Sequence, residues 1–163
     1  MNAAVAALRD HLESLRDLVA PLPQEFYTSA PACGSGPIGA HVRHCLDHAR
    51  ALLTSGSAHA LSYDTRLRGT AVETEVRAAV GEIKRLHLAL DDLNDVDLDR
   101  PMLLHSMTRR DGSQVSVMTT FGRELAFVVQ HTIHHCAIIS LLLEQIGQKV
   151  PAGFGYAPST PRP

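Results

Sequence analysis

Apolar residues recur at steps of three and four along four separate stretches of this 163-residue chain, and nothing of comparable length alternates as a strand does. The first stripe is Val5, Leu8, Leu12, Leu15 and Val19, within Ala3 to Ala20, and Pro21 and Pro23 end it. The second is Ile38, Val42, Cys45, Ala49 and Leu52. Ser35 is its expected cap, Pro37 is tolerated in its first turn, and it stops near Thr54, before Gly56. The third opens at the capping box Thr70-Ala-Val-Glu73 and carries Val72, Val76, Ala79, Val80, Ile83, Leu86 and Leu90, until the Asp-rich stretch from Asp91 to Asp99. The fourth, capped by Thr119 or Thr120, runs through Leu125, Val128, Val129, Thr132, Cys136, Ile139 and Leu143 to Gly147, with Pro151 beyond. Such stripes bury best against one another, so the sequence predicts an all-α fold, a four-helix bundle. Between Met102 and Thr119 the period changes and Asp111-Gly112 marks a turn, which predicts a short hairpin or irregular excursion, too short to count as a sheet.

A hydrophobic content of 45 % suffices for one core, and residues 1–163 are read as a single domain. Fifteen Lys and Arg against seventeen Asp and Glu give a formal charge of −2 with no cationic block, which argues against nucleic acid as a partner. The N-terminus lacks the apolar core of a signal peptide, and the longest apolar run, Ala137 to Leu143, is too short to span a bilayer. The expectation is a soluble, cytoplasmic protein without a membrane partner. Cys33, Cys45 and Cys136 form no CxxC pair and read as reduced thiols, the last two as buried hydrophobes within apolar stripes.

Ten histidines are many for this length, and six crowd into two segments: His41, His44 and His48 on the second helix, and His131, His134 and His135 on the fourth. Residues four apart on a helix stand one turn above each other, so His131 and His135 form a chelating pair. A ligand from a facing helix would complete a three-histidine site with positions left open, the layout of a catalytic metal. By helical phase, His131 and His135 flank their stripe and His134 points away. On the second helix, phase favours His41 or His48 over His44 and leaves the choice open.

Two segments, Gly39-Ala-His-Val-Arg-His44-Cys-Leu-Asp47 and His131-Thr-Ile-His-His135-Cys-Ala-Ile-Ile, resemble the signature helices of the DinB/YfiT-like family. The resemblance implies a four-helix bundle whose three-histidine metal site here corresponds to His44, followed by Asp47, with His131 and His135. It thus selects His44 against the phase argument, because a bundle helix touches two neighbours and its inward arc is wider than one stripe. Many members follow the last histidine with Arg-Gly-Gln; this chain has Cys136-Ala137-Ile138. The resemblance further implies one divalent ion (Zn, Ni, Fe or Mn) and a tendency to form homodimers.

Neutral imidazoles leave the ion's charge on whatever fills the open position, which favours deprotonation of a bound water or thiol. The family's wider membership includes thiol-dependent transferases and isomerases alongside proteins described as metal-dependent hydrolases. The expected partner is accordingly a small-molecule substrate, with a low-molecular-weight thiol as one class. His48, one turn from His44, is the candidate general base, with His41 as its rival, and Arg43 the second candidate catalytic residue, although an inter-helix ion pair suits Arg43 better. His48 or His41 could alternatively close the site as a fourth ligand in a non-catalytic, metal-binding or stress-associated bundle. Arg66 and Arg68 suggest an anion site or, more simply, ion pairs with Asp64 and Glu73. The tail from Gly153 to Thr160 carries aromatic and turn residues that suit either folding back over the open end of the bundle or a disordered tail.

Overall fold

The computed structural model describes residues 2–31, 34–55, 60–65, 67–93 and 97–161. Cys33, Gly56 and Arg66 lie outside them. Four long helices follow the four stripes: α1 (Ala3–Val19), α3 (Ile38–Thr54), α5 (Val76–Asp91) and α6 (Phe121–Gln145). Each of α3 and α1 packs against both α5 and α6, which closes the ring around one core. The first stripe is buried throughout, with Leu8, Leu12 and Leu15 wholly inaccessible; burial of each such side chain is worth about 1.5–3 kcal/mol. Helix α1 starts where the Asn2 side chain accepts from the Ala4 N–H at 2.9 Å. Helix α6 starts where the Thr120 hydroxyl accepts from the Arg123 N–H, as the sequence predicts. It ends at Gly147, whose φ of 73° lets the Gln148 N–H reach the Leu143 carbonyl.

The structure corrects three local expectations. A short helix, α2 (Gln24–Thr28), interrupts the Pro-rich loop and buries Tyr27, whose hydroxyl donates to the Val72 carbonyl at 2.7 Å. Pro37, not Ser35, occupies the N-cap of α3. The third stretch is split by the extended backbone of Glu75 into α4 (Ala71–Thr74) and α5. Thr70 caps α4 by position but makes no side-chain bond. Glu73 is drawn instead to Arg43, at 2.8 Å, and to the Gly69 N–H. An ion pair with a buried arginine outcompetes a capping contact worth about 1 kcal/mol.

The excursion is a sheet. Strand β2 (Pro101–Met107) pairs antiparallel with β3 (Gln114–Thr120) around Gly112, and β1 (Ala60–Ser62) adds in parallel on the other edge, giving the order β1-β2-β3. A three-residue strand has no periodicity of its own, and its parallel partner lies some forty residues on, so no local signal announces it. The fold is therefore mostly helical with a small three-stranded sheet. Leu61 and Met102 carry the sheet's inner face into the core.

Helix α6 is longer than its most apolar run suggests. Among the described residues it is the one helix long and apolar enough to cross a membrane, with a window of mean hydropathy 1.5. Here it serves as the central packing helix, in contact with both α1 and α3. The tail does fold back: Phe154 is buried, and Gly155 sits so close to α6 that a Cβ there would lie 2.6 Å from the Ala137 nitrogen.

Gly39 sets the approach of α3 to α4, since a Cβ at this position would lie 2.1 Å from the Glu73 carbonyl oxygen and 2.7 Å from the Tyr27 ring. Gly39→Ala should therefore lower stability by about 1–3 kcal/mol, through a forced shift of α3. Denaturant unfolding beside Gly81→Ala, where a Cβ meets open space, checks it.

Candidate metal centre

Helices α3 and α6 cross in opposite directions: His41 meets His135, His44 meets both His135 and His131, and His48 meets His131 and then Phe127. Each helix contributes a pair spaced by four, His44 with His48 and His131 with His135, and the two pairs face each other. Ring centres are separated by 4.4 Å for His44 and His48, 4.6 Å for His131 and His135, 4.8 Å for His44 and His131, 4.5 Å for His44 and His135, and 4.2 Å for His48 and His131. The crossing brings the rings of His44, His131 and His135 together with that of His48, but the nitrogens that converge as a metal-capable group are those of His44, His48 and His131, with His48 in the place expected for His135.

The nitrogens are arranged more selectively than the rings. One atom each from His44, His48 and His131 lies within 4.8 Å of the other two, a three-histidine group able to hold a metal ion. The His44 and His131 Nε2 atoms are 2.8 Å apart. His135 turns its Nδ1 to the Nδ1 of His41, at 3.0 Å. His48 Nδ1 lies 2.9 Å from the His44 carbonyl oxygen; because that oxygen only accepts, Nδ1 carries the proton and Nε2 is the basic nitrogen. His134 is exposed, although its ring still lies 5.2 Å from that of His135.

An aromatic and carboxylate shell backs the histidines. Tyr63, from the segment after β1, stacks on His48 with ring centres 4.8 Å apart and donates its hydroxyl to Glu124 at 3.0 Å. Glu124 is fully buried and also accepts from Thr119 and from its neighbour Arg123. Phe127 stacks on His131, and the Arg123 guanidinium lies over Phe127. Sequence reasoning overlooked Tyr63, Glu124 and Phe127 as site residues. Glu124 and Phe127 were discoverable, being seven and four residues before His131 on the same helix face; no pattern marks Tyr63.

Arg43 points its guanidinium at Asp47, 2.8 Å away on the same helix, and at Glu73 on α4, so it is engaged in one ion pair within α3 and one between α3 and α4. Asp47 also accepts from Arg50, which reaches Glu82 on α5. The pairing of Arg68 with Glu73 is not what forms: Arg68 is exposed, and Asp64 accepts from the Met107 N–H. Burial of Cys45 and Cys136 pushes both thiols up, that of Cys136 to about 12, which keeps them unreactive.

With this geometry in place, comparison with known proteins assigns the class. The chain belongs to the DinB superfamily, whose family model matches residues 7–139, a span that includes every histidine of the cluster. Among curated proteins it is similar to FK506-binding protein 5 of Rhizopus delemar, 35 % identical over 101 residues, which is 61 % of this chain and 26 % of that protein. The chain thus spans about a quarter of that relative's length.

Burial holds His11, His41 and His87 below the usual imidazole range and takes His135 down to about 3, aided by the surrounding His131, His41, His134 and His48. Unfolded, these rings gain a proton below about pH 6.5, while folded they resist it, so the unfolded state binds more protons and stability is lost as the pH falls. The metal-free protein should therefore melt at progressively lower temperature from about pH 7 to about pH 5. A Tm that stays level or rises over this range contradicts the prediction.

Proposed function

We propose that the protein is a divalent-metal-dependent enzyme in which His44, His131 and His135 hold one ion and His48 serves as general base. On this reading the four long helices are the family's four-helix bundle, with the sheet as an addition at its side. The observation that carries the reading is the meeting of two four-spaced histidine pairs, one on α3 and one on α6, with ring centres 4.2–4.8 Å apart across the crossing. Neutral nitrogen donors suit Zn, Ni or Fe better than Mn, which prefers oxygen, and the partial exposure of His44, His131 and His135 leaves the site within reach of a small molecule. When bound, the ion would lower the pKa of a coordinated water or thiol.

The chain's own residues supply the remainder. His48 presents its basic Nε2 on the edge opposite the His44 carbonyl, and stacking on Tyr63 holds the ring in that orientation. The Tyr63–Glu124 hydrogen bond anchors the stacking partner in turn. Arg43, next to His44 in the chain, pairs with Asp47 on α3 and ties the helix to Glu73 on α4. The reaction class is nucleophile activation on a small molecule, by water in a hydrolysis or by a low-molecular-weight thiol in a transfer or isomerisation.

Elemental analysis of untagged protein tests the site. The parent should carry about one ion per chain; His44→Ala, His131→Ala and His135→Ala should lose it, and His48→Ala should keep it. In substrate screens with hydrolysable esters and amides and with thiol acceptors, His48→Ala should then cut the rate by about 10²–10⁴. Loss of the ion in His48→Ala with retention in His135→Ala would instead make His48 a ligand and remove it as the base. No ion in the parent, after incubation with Zn, Ni, Mn and Fe, overturns the metalloenzyme reading.

A further inference from the structure

His41 has no part in the three-ligand set, yet its Nδ1 lies 3.0 Å from the Nδ1 of His135. Two ring nitrogens at that separation share one proton, because facing lone pairs would repel. The donor follows from what each ring has left to do. If His135 coordinates through one nitrogen, the other must keep its hydrogen, and the atom turned to His41 is Nδ1. Nε2 is then the coordinating atom, and the Nδ1–H of His135 donates to His41. His41 in turn carries its own hydrogen on Nε2, which is buried with no hydrogen-bond partner among the described residues.

We infer that His41 is a positioning residue of the metal centre, one that fixes the tautomer and ring orientation of His135 so that Nε2 faces the ion. This rests on the ligand set proposed above. Histidine ligands commonly donate their second N–H to a carboxylate or a carbonyl, and such partners govern metal affinity. A neutral imidazole acceptor orients the ring while adding no negative charge, so the ion's full charge remains for the nucleophile. The helical geometry makes the arrangement possible: His41 is one turn before His44, and the opposed crossing sets it beside the C-terminal member of the α6 pair.

The test uses full-length protein and Zn. Affinity is measured by chelator competition for the parent, His41→Phe and His41→Gln, and the His135 tautomer is read in Zn-loaded protein by long-range ¹H–¹⁵N correlation. The parent should show His135 protonated at Nδ1. His41→Phe should weaken Zn binding by about 10–100-fold and abolish the single tautomer. His41→Gln, whose side-chain carbonyl can accept the same hydrogen bond, should recover most of the affinity. Equal Zn affinity in parent and His41→Phe, or coordination of His135 through Nδ1, overturns the role of His41 and leaves the metal centre standing. A parent that takes up no Zn overturns the metal centre and this role together, and a nitrogen–nitrogen coupling between His41 and His135 in the metal-free protein would then mark the contact as purely structural.

Discussion

The crossing of α3 over α6 is the constraint on which the rest depends. Because the helices run in opposite directions, successive histidines on one meet successive histidines on the other in reverse order. A slip of one turn from this register would set His44 between Phe127 and His131 and take His135 out of its reach. That register is held by packing: Val42, Cys45 and Ala49 on α3, and Val128, Thr132, Cys136 and Ile139 on α6, are all buried. Small residues there, Cys45 and Ala49 among them, permit the close approach that imidazole ligands need.

The charges behind α3 bear on the same register. Arg43, Asp47 and Glu82 are buried, and buried ion pairs are poor sources of net stability because desolvation cancels much of the attraction. Their partners are nonetheless distributed so that α3 is tied to α4 through Glu73 and to α5 through Glu82. With Gly39 pressed against the Glu73 carbonyl, these contacts leave α3 little freedom to rotate about its axis. The sheet contributes at the other end of the cluster, where β1 leads into Tyr63 and β3 delivers Thr119 to Glu124. Secondary structure that looks peripheral in the chain order thereby orients His48.

Much of this is legible in the sequence. The stripes located the four long helices, since a helix that buries one face writes that face into its sequence at a 3.6-residue period, though the third starts at Val76 and not at its capping box. The chelating pair on α6 was equally plain, and both signature segments lie within the span that matches the DinB superfamily. The helix-two choice was not plain, and the reason is instructive. Phase compared each histidine with a single stripe, whereas α3 packs against both α6 and α5, so His41, His44 and His48 all fall within its inward arc. The short elements escaped for a different reason: α2 and β1 are too brief to carry a period, and the capping box at Thr70 was overridden by Arg43, thirty residues earlier in the chain.

By itself, then, the sequence determined which segments are helical, which faces are apolar, and that two of those helices bring histidines one turn apart. Those are properties of neighbours along the chain, set by backbone geometry that every helix shares. Tertiary structure alone decided which nitrogen of each ring meets which partner: His44 with His131, His135 with His41, and His48 with its own helix's carbonyl. It alone placed Tyr63 and Glu124 behind His48 and committed Arg43 to Asp47 and Glu73. Hydrogen bonds and ion pairs are directional and short-ranged, so they are settled only when separate elements arrive at contact distance, and no local pattern in the chain encodes that arrival.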